Sequence, residues 1–114
     1  MNQIGIFGEI EAQLKNKFEH SSGAVLIPPV YLDDGILIIT AKHHNYFFYD
    51  GIIIDIAVAL CRKELIKKVD FRKVDFLFYC DDKKYIYSIE RGQLLKYLEQ
   101  HLSDLELIKT IETR

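Results

Sequence analysis

The stretch LDDGILIITAKHHNYFFYDGIIID, residues 32–55, decides the reading of this chain. It holds two Asp-Gly pairs, Asp34-Gly35 and Asp50-Gly51, the most apolar strand candidate, the only adjacent histidines and a lysine at a corner. Asp-Gly supplies the positive φ that a tight hairpin turn needs. Ile36 to Lys42 therefore reads as a strand leaving the first turn. Ile36, Leu37, Ile38 and Ile39 show no alternation, and a strand apolar on both faces is expected to be central and covered on both sides. Lys42-His43-His44-Asn45 makes the next corner, Tyr46 to Tyr49 a short aromatic strand, and Asp50-Gly51 a further turn. Ile52 to Ile54 either returns as a fourth short strand or forms the first turn of the helix that follows; periodicity does not separate the two.

On the N-terminal side, Ile4, Phe7, Ile10, Leu14 and Phe18 recur at helical spacing and predict a helix over Gln3 to His20, ended by Ser21-Ser22-Gly23. Ala24 to Leu32 reads as a strand. Pro28-Pro29 in its middle cannot donate to a ladder, so this strand is bulged or lies at an edge. On the C-terminal side, Asp55 is placed to cap a helix over Ile56 to Val69, with Val58, Cys61, Leu65 and Val69 inward. Val74 to Cys80 and Lys84 to Ile89 form a hairpin about Asp81-Asp82-Lys83, with Tyr85 and Tyr87 on one face. Arg91 to Leu102 is a third helix. Ser103-Asp104-Leu105-Glu106 has the capping-box form, so residues 104 to 112 are a short helix or, by the alternation of Leu105, Leu107, Lys109 and Ile111, an edge strand. The fold class is α+β: one domain over residues 1–114, a mixed, mainly antiparallel sheet of five to six strands built from a meander and a hairpin, with helices packed on it in the order α-β-β-β-(β)-α-β-β-α.

At 114 residues, with 49% hydrophobic and 28% charged, the chain has the balance of a globular domain able to bury a core without metal or disulfides. A net charge of −2 excludes a generally basic nucleic-acid binder. No signal-peptide pattern opens the chain and no apolar run reaches membrane-spanning length, so a cytoplasmic protein without a membrane partner is expected. Cys61 and Cys80 lie in apolar elements and read as reduced core thiols. The surplus of Ile, Lys, Tyr and Phe over Ala and Pro is that of AT-rich coding, as in a virus, a plasmid or an AT-rich microbe.

Three groups of residues have the chemistry of a site. His43 and His44 are neighbours and so point to opposite faces of a strand, which makes them, with Asp34, weak metal ligands. Asp33, Asp34 and Lys42 flank one strand; carboxylates to hold a hard cation and an ammonium to neutralise developing charge are what metal-dependent phosphodiester chemistry needs. Arg62, Lys63, Lys67, Lys68, Arg72 and Lys73 form the one basic concentration, able to contact phosphates. The aromatic residues of 46–49, 76–79 and 85–87 are either core or a stacking platform for bases. No Gly-rich phosphate loop, nucleophile elbow or CxxC is present.

The order helix, three strands, helix, strand over roughly residues 4 to 80 resembles the core of the PD-(D/E)XK nucleases. The resemblance implies Mg²⁺, with Asp33 or Asp34 as the first acid, Lys42 as the motif lysine and Glu9 as a helix acid. Thr40 stands where the second acid belongs, and Asp34 and Lys42 bracket one strand, whereas the family pattern crosses a hairpin. Two functions are therefore expected: a small interaction or regulatory protein without a complete catalytic motif, working through itself as a homodimer or through another protein, or alternatively a nucleic-acid-acting, metal-dependent nuclease.

Overall fold

A computed structural model describes residues 3–44 and 49–113; the side chains of Gln3, Ile4, Ser22 and Lys63 lie outside that description. The elements run α1 (Gln3–Lys17), a π turn (Phe18–Ser22), β1 (Val25–Asp33), β2 (Ile36–His43), α2 (Tyr49–Cys61), a 3₁₀ turn (Arg62–Glu64), α3 (Leu65–Lys68), β3 (Lys73–Cys80), β4 (Lys83–Glu90), α4 (Arg91–Leu98), α5 (Asp104–Lys109) and β5 (Glu112–Thr113). The strands form one mixed five-stranded sheet in the order β1-β2-β3-β4-β5. Only β2 and β3 are parallel; the other three pairs are antiparallel.

The parallel pair sets the architecture. Two parallel neighbours need a long crossover, and the chain supplies it with α2 and α3. Seven residues of α2 are buried, Ile52, Ile53, Asp55, Ile56, Ala57, Ala59 and Leu60, so this helix is enclosed almost all round. It packs against α1, α4 and α5. The expected third strand is thereby corrected: Tyr49 opens a helix, and residues 46–48 lie outside the described residues. The helical alternative for Ile52 to Ile54 holds, with Ile52 and Ile53 fully buried and Ile54 partly buried against the core. Asp55 does not cap a helix but lies within one, 7% exposed. The helix expected to run to Val69 ends at Cys61, and the chain breaks at Glu64, whose φ is +56°. Likewise α4 stops at Leu98, short of Leu102, and Gln100 has φ +64°.

Other boundaries follow their residues. Gly23 adopts φ +73° and its N–H donates to Phe18 O at 2.7 Å, closing the first helix. β1 is both an edge strand and bulged: its register to β2 shifts between Ile27 and Tyr31, where the two prolines offer no N–H. The Val30 N–H that follows donates to the Glu11 carboxylate at 2.9 Å, so α1 supplies the acceptor the ladder lacks. Ser103 and Glu106 complete a capping box, and the Ser103 N–H holds the Glu106 carboxyl below the usual carboxylate range. Residues 104–112 are thus helix first and edge strand after it.

The core lies on one face of the sheet. Leu37, Ile39 and Ala41 of β2, Val74, Phe76, Phe78 and Cys80 of β3, and Tyr87 and Ile89 of β4 join α1, α2, α4 and α5 in one buried cluster. Phe76, Phe78, Tyr85 and Tyr87 form a ring column on this face, and Tyr49 stacks on Tyr87 at 5.2 Å. The alternate residues of the same strands are absent from that cluster. Phe76→Ala should therefore cost about 3–5 kcal/mol, whereas Tyr31→Thr on the opposite face should change stability by less than about 1 kcal/mol; urea unfolding of the two variants checks the contrast.

Candidate functional site

The second face of the sheet carries no helix among the described residues. Because side chains at paired positions share a face, the strand registers place its residues in four rows from β1 to β4. The first is Val25, Lys42, Tyr79, Lys84; the second Ile27, Thr40, Leu77, Ile86; the third Tyr31, Ile38, Asp75, Ser88; the fourth Asp33, Ile36, Lys73, Glu90. The third row continues to Glu112 of β5. An antiparallel-rich sheet with one free face normally shows polar side chains there. Here the middle two rows hold Ile27, Leu77, Ile86, Tyr31 and Ile38 with the polar Thr40, Asp75 and Ser88, and Val25, Ile36 and Tyr79 extend the apolar part. Val25 is 52% and Tyr31 43% exposed, Ile38 is buried, and Ile27, Ile36, Leu77, Tyr79 and Ile86 are half-buried outside the core cluster.

A polar pair lies inside this apolar field. Asp75 and Ser88 are 5% and 3% exposed, and the Ser88 hydroxyl donates to Asp75 Oδ1 at 2.7 Å. Lys73 Nζ sits 4.0 Å from the same oxygen. A buried carboxylate needs such donors to remain in place. Asp75 was legible as the one acid at an inner position of the apolar run Val74 to Phe78, although nothing in the sequence paired it with Ser88. Arg91 was also missed: its guanidinium donates to Val69 O at 2.9 Å and Phe71 O at 3.1 Å and lies over the Phe71 ring, 4.9 Å from its centroid. It pins the loop that leads into β3.

The sequence candidates divide between the two ends of the sheet. Asp33 pairs with Ile36 and Lys42 with Val25, six residues apart on β2 and so about 20 Å; no acid joins Lys42 from the Asp33-Asp34 turn. Glu9 lies on α1, half-buried, whereas Glu11 of the same helix is the acid that reaches the sheet. At the other end, Lys42, His43, His44, Tyr79, Asp81 and Asp82 border a cavity of about 370 Å³. His44 Nδ1 lies 3.9 Å from Asp81 Oδ1, with both side chains in solvent, a weak contact. Among the described residues no three His, Cys, Asp or Glu side chains are placed to hold a metal ion. Of the basic residues, Lys67 lies 3.7 Å from Glu64 Oε2 and Lys73 faces Asp75. Arg62, Lys68 and Arg72 are exposed. Of the aromatic residues offered as a base-stacking platform, Phe76, Phe78 and Tyr87 are core, Tyr79 lies half-buried on the helix-free face, and residues 46–48 lie outside the described residues.

A shallow groove of about 790 Å³ runs along α4, with Cys61, Arg62, Tyr97 and His101 on its walls. Its potential nucleophile is quiet. Burial pushes the Cys61 thiol up to about 11, and its Sγ lies 3.7 Å from Leu94 O. Burial, and then the Asp104 carboxylate that accepts the Tyr97 hydroxyl at 2.6 Å, raise the Tyr97 phenol as well. Both groups are thus neutral at physiological pH. Cys61 and Cys80 are free thiols, and no described helix is long and apolar enough to cross a membrane.

No protein-family model matches the chain, and no curated protein and no solved structure matches it. The site is therefore argued from its own geometry.

Two outcomes test this description. Ser88→Ala leaves the buried Asp75 carboxylate short of a donor and should lower stability by about 1–3 kcal/mol, read by urea unfolding. Cys61 should alkylate with iodoacetamide at pH 8 at least about tenfold more slowly in the folded protein than in urea, since the thiolate is the reacting form, and its rate should rise as pH approaches the raised pKa; peptide mass spectrometry assigns the site.

Proposed function

We propose that this chain is a small, non-catalytic interaction or regulatory protein of the cytoplasm, and that the helix-free face of the sheet is its binding surface. The observation that carries the reading is the apolar composition of that face. Soluble monomers rarely leave a contiguous field of large aliphatic side chains uncovered, and such fields mark surfaces that meet a partner. The rim has the matching character: Lys42 and Lys84 at one end, Asp33 and Glu90 at the other, polar groups around an apolar centre as in protein interfaces. The central Asp75–Ser88 pair is buried within it, and its hydrogen bond fixes the relative position of β3 and β4 beneath the contact.

The nuclease alternative draws no support from the arrangement. Phosphodiester hydrolysis by a metal requires acids and an ammonium within a few ångströms of one phosphate, and Asp33 and Asp34 stand at the opposite end of β2 from Lys42.

A photo-cross-linking amino acid placed at Tyr31, on the free face, should give discrete protein adducts in the protein's own cell, suppressed by Ile86→Asp at unchanged thermal unfolding; the same group at the exposed Leu105 of α5 should give none. Adducts from position 105 alone would contradict the proposal. So would Mg²⁺-dependent cleavage of DNA or RNA that is lost in Asp34→Ala and Lys42→Ala.

A further inference from the structure

We infer that the occupant of the free face is a second copy of this chain, packed face to face about a two-fold axis that lies between the sheets and perpendicular to the strands. The inference rests on the reading of that face as a binding surface and adds its partner and its geometry.

From one end of the strands to the other, the rows of the free face are basic, apolar, mixed (Tyr31 and Ile38 beside the buried Asp75–Ser88 pair) and acidic. The first row contributes Lys42 and Lys84, both exposed, and the last Asp33 and Glu90, both exposed. Lys73 shares the last row but is turned toward Asp75, its side chain only 21% exposed. The outward charge of that end is therefore acidic, and Glu112 in the adjoining row adds to it. A two-fold axis along the strands would set lysines on lysines and acids on acids. An axis perpendicular to the strands lays the first row over the partner's last row and the second over the partner's third. Lys84 then faces the partner's Glu90 on the same strand, Lys42 comes to the region of the partner's Ile36 and Asp33, Ile27 meets the partner's Tyr31, Thr40 the partner's Ile38, and Leu77 and Ile86 lie over the partner's buried Asp75–Ser88 pair. A two-fold contact requires a surface complementary to itself, and this face meets that requirement in one orientation. Two sheets pack in this way about 10 Å apart with their strands within about 30° of alignment.

The alternative route to self-association, edge to edge, is hindered along β1. The long edge is β1, and Pro28 and Pro29, both exposed, remove two N–H groups and bulge the strand at its middle. The opposite edge, β5, is two residues long. The footprint of the free face, roughly 20 Å along the strands and roughly 20 Å across them with side chains included, is small against the roughly 800 Å² per partner of a stable complex. The dimer is accordingly reversible, with a population that follows protein concentration.

Sedimentation velocity of the full chain over a concentration series reads the association, and charge reversals read its geometry. Lys84→Glu and Glu90→Lys should each weaken dimerisation at least tenfold, and the double variant Lys84→Glu/Glu90→Lys should recover most of the loss. Both residues are exposed, and a circular dichroism spectrum identical to the parent confirms folding. A chain that stays monomeric at the highest concentration reached, or a dimer indifferent to all three variants, would overturn the inference. In the first case, adducts at Tyr31 to a different protein would leave the binding role of the face standing; in their absence both readings fall.

Discussion

The parallel pairing of β2 with β3 is the constraint from which the rest of the structure follows. It obliges the chain to leave one end of the sheet, pass over a face and re-enter at the other end. The segment that does so, α2 with α3, brings the apolar residues Ile52 to Leu60 onto that face, and α1, α4 and α5 find their packing surface there. All of the described helices are thereby used on one side. Among the described residues no helix covers the second face, whose aliphatic side chains, the buried Ile38 apart, are half-buried or exposed.

This division explains two features that look unrelated. β1 carries a double proline that hinders addition of a further strand at its edge, and β5 covers Tyr87 and Ser88 of the opposite edge. The free face, by contrast, carries no such defence at its centre: its charges are confined to the end rows, and its one central acid is hydrogen-bonded within the sheet.

Much of the fold was legible in local chemistry. The Pro28-Pro29 bulge, the hairpin at Asp81-Asp82-Lys83, the capping box at Ser103 and the mixed α+β class each depend on a few adjacent residues. What the sequence concealed is non-local. The run Ile36 to Ile39 reads as a strand covered on both sides, and Leu37, Ile38 and Ile39 are all buried, but only Leu37 and Ile39 belong to the cluster under the helices; an apolar residue reports that it needs cover, not which element gives it. Tyr49 to Ile54 is rich in the residues that favour strands, and tertiary burial made it a helix. The candidate site shifted for the same reason. Asp33, Lys42 and Glu90 are far apart or unremarkable along the chain, and only the strand registers reveal them as the ends of one ordered surface, while the aromatic pairs that suggested base stacking turned inward to Tyr49.

The account's central claim is that the helix-free face is the surface this protein works through, and that a second copy covers it. A dilution series followed by amide and methyl NMR tests it residue by residue. The account predicts concentration-dependent shifts at Ile27, Tyr31, Ile38, Leu77, Lys84, Ile86 and Glu90, with Leu14, Ile56 and Leu94 on the helical side unchanged. Shifts confined to the helical side, or none across the accessible range, would contradict it.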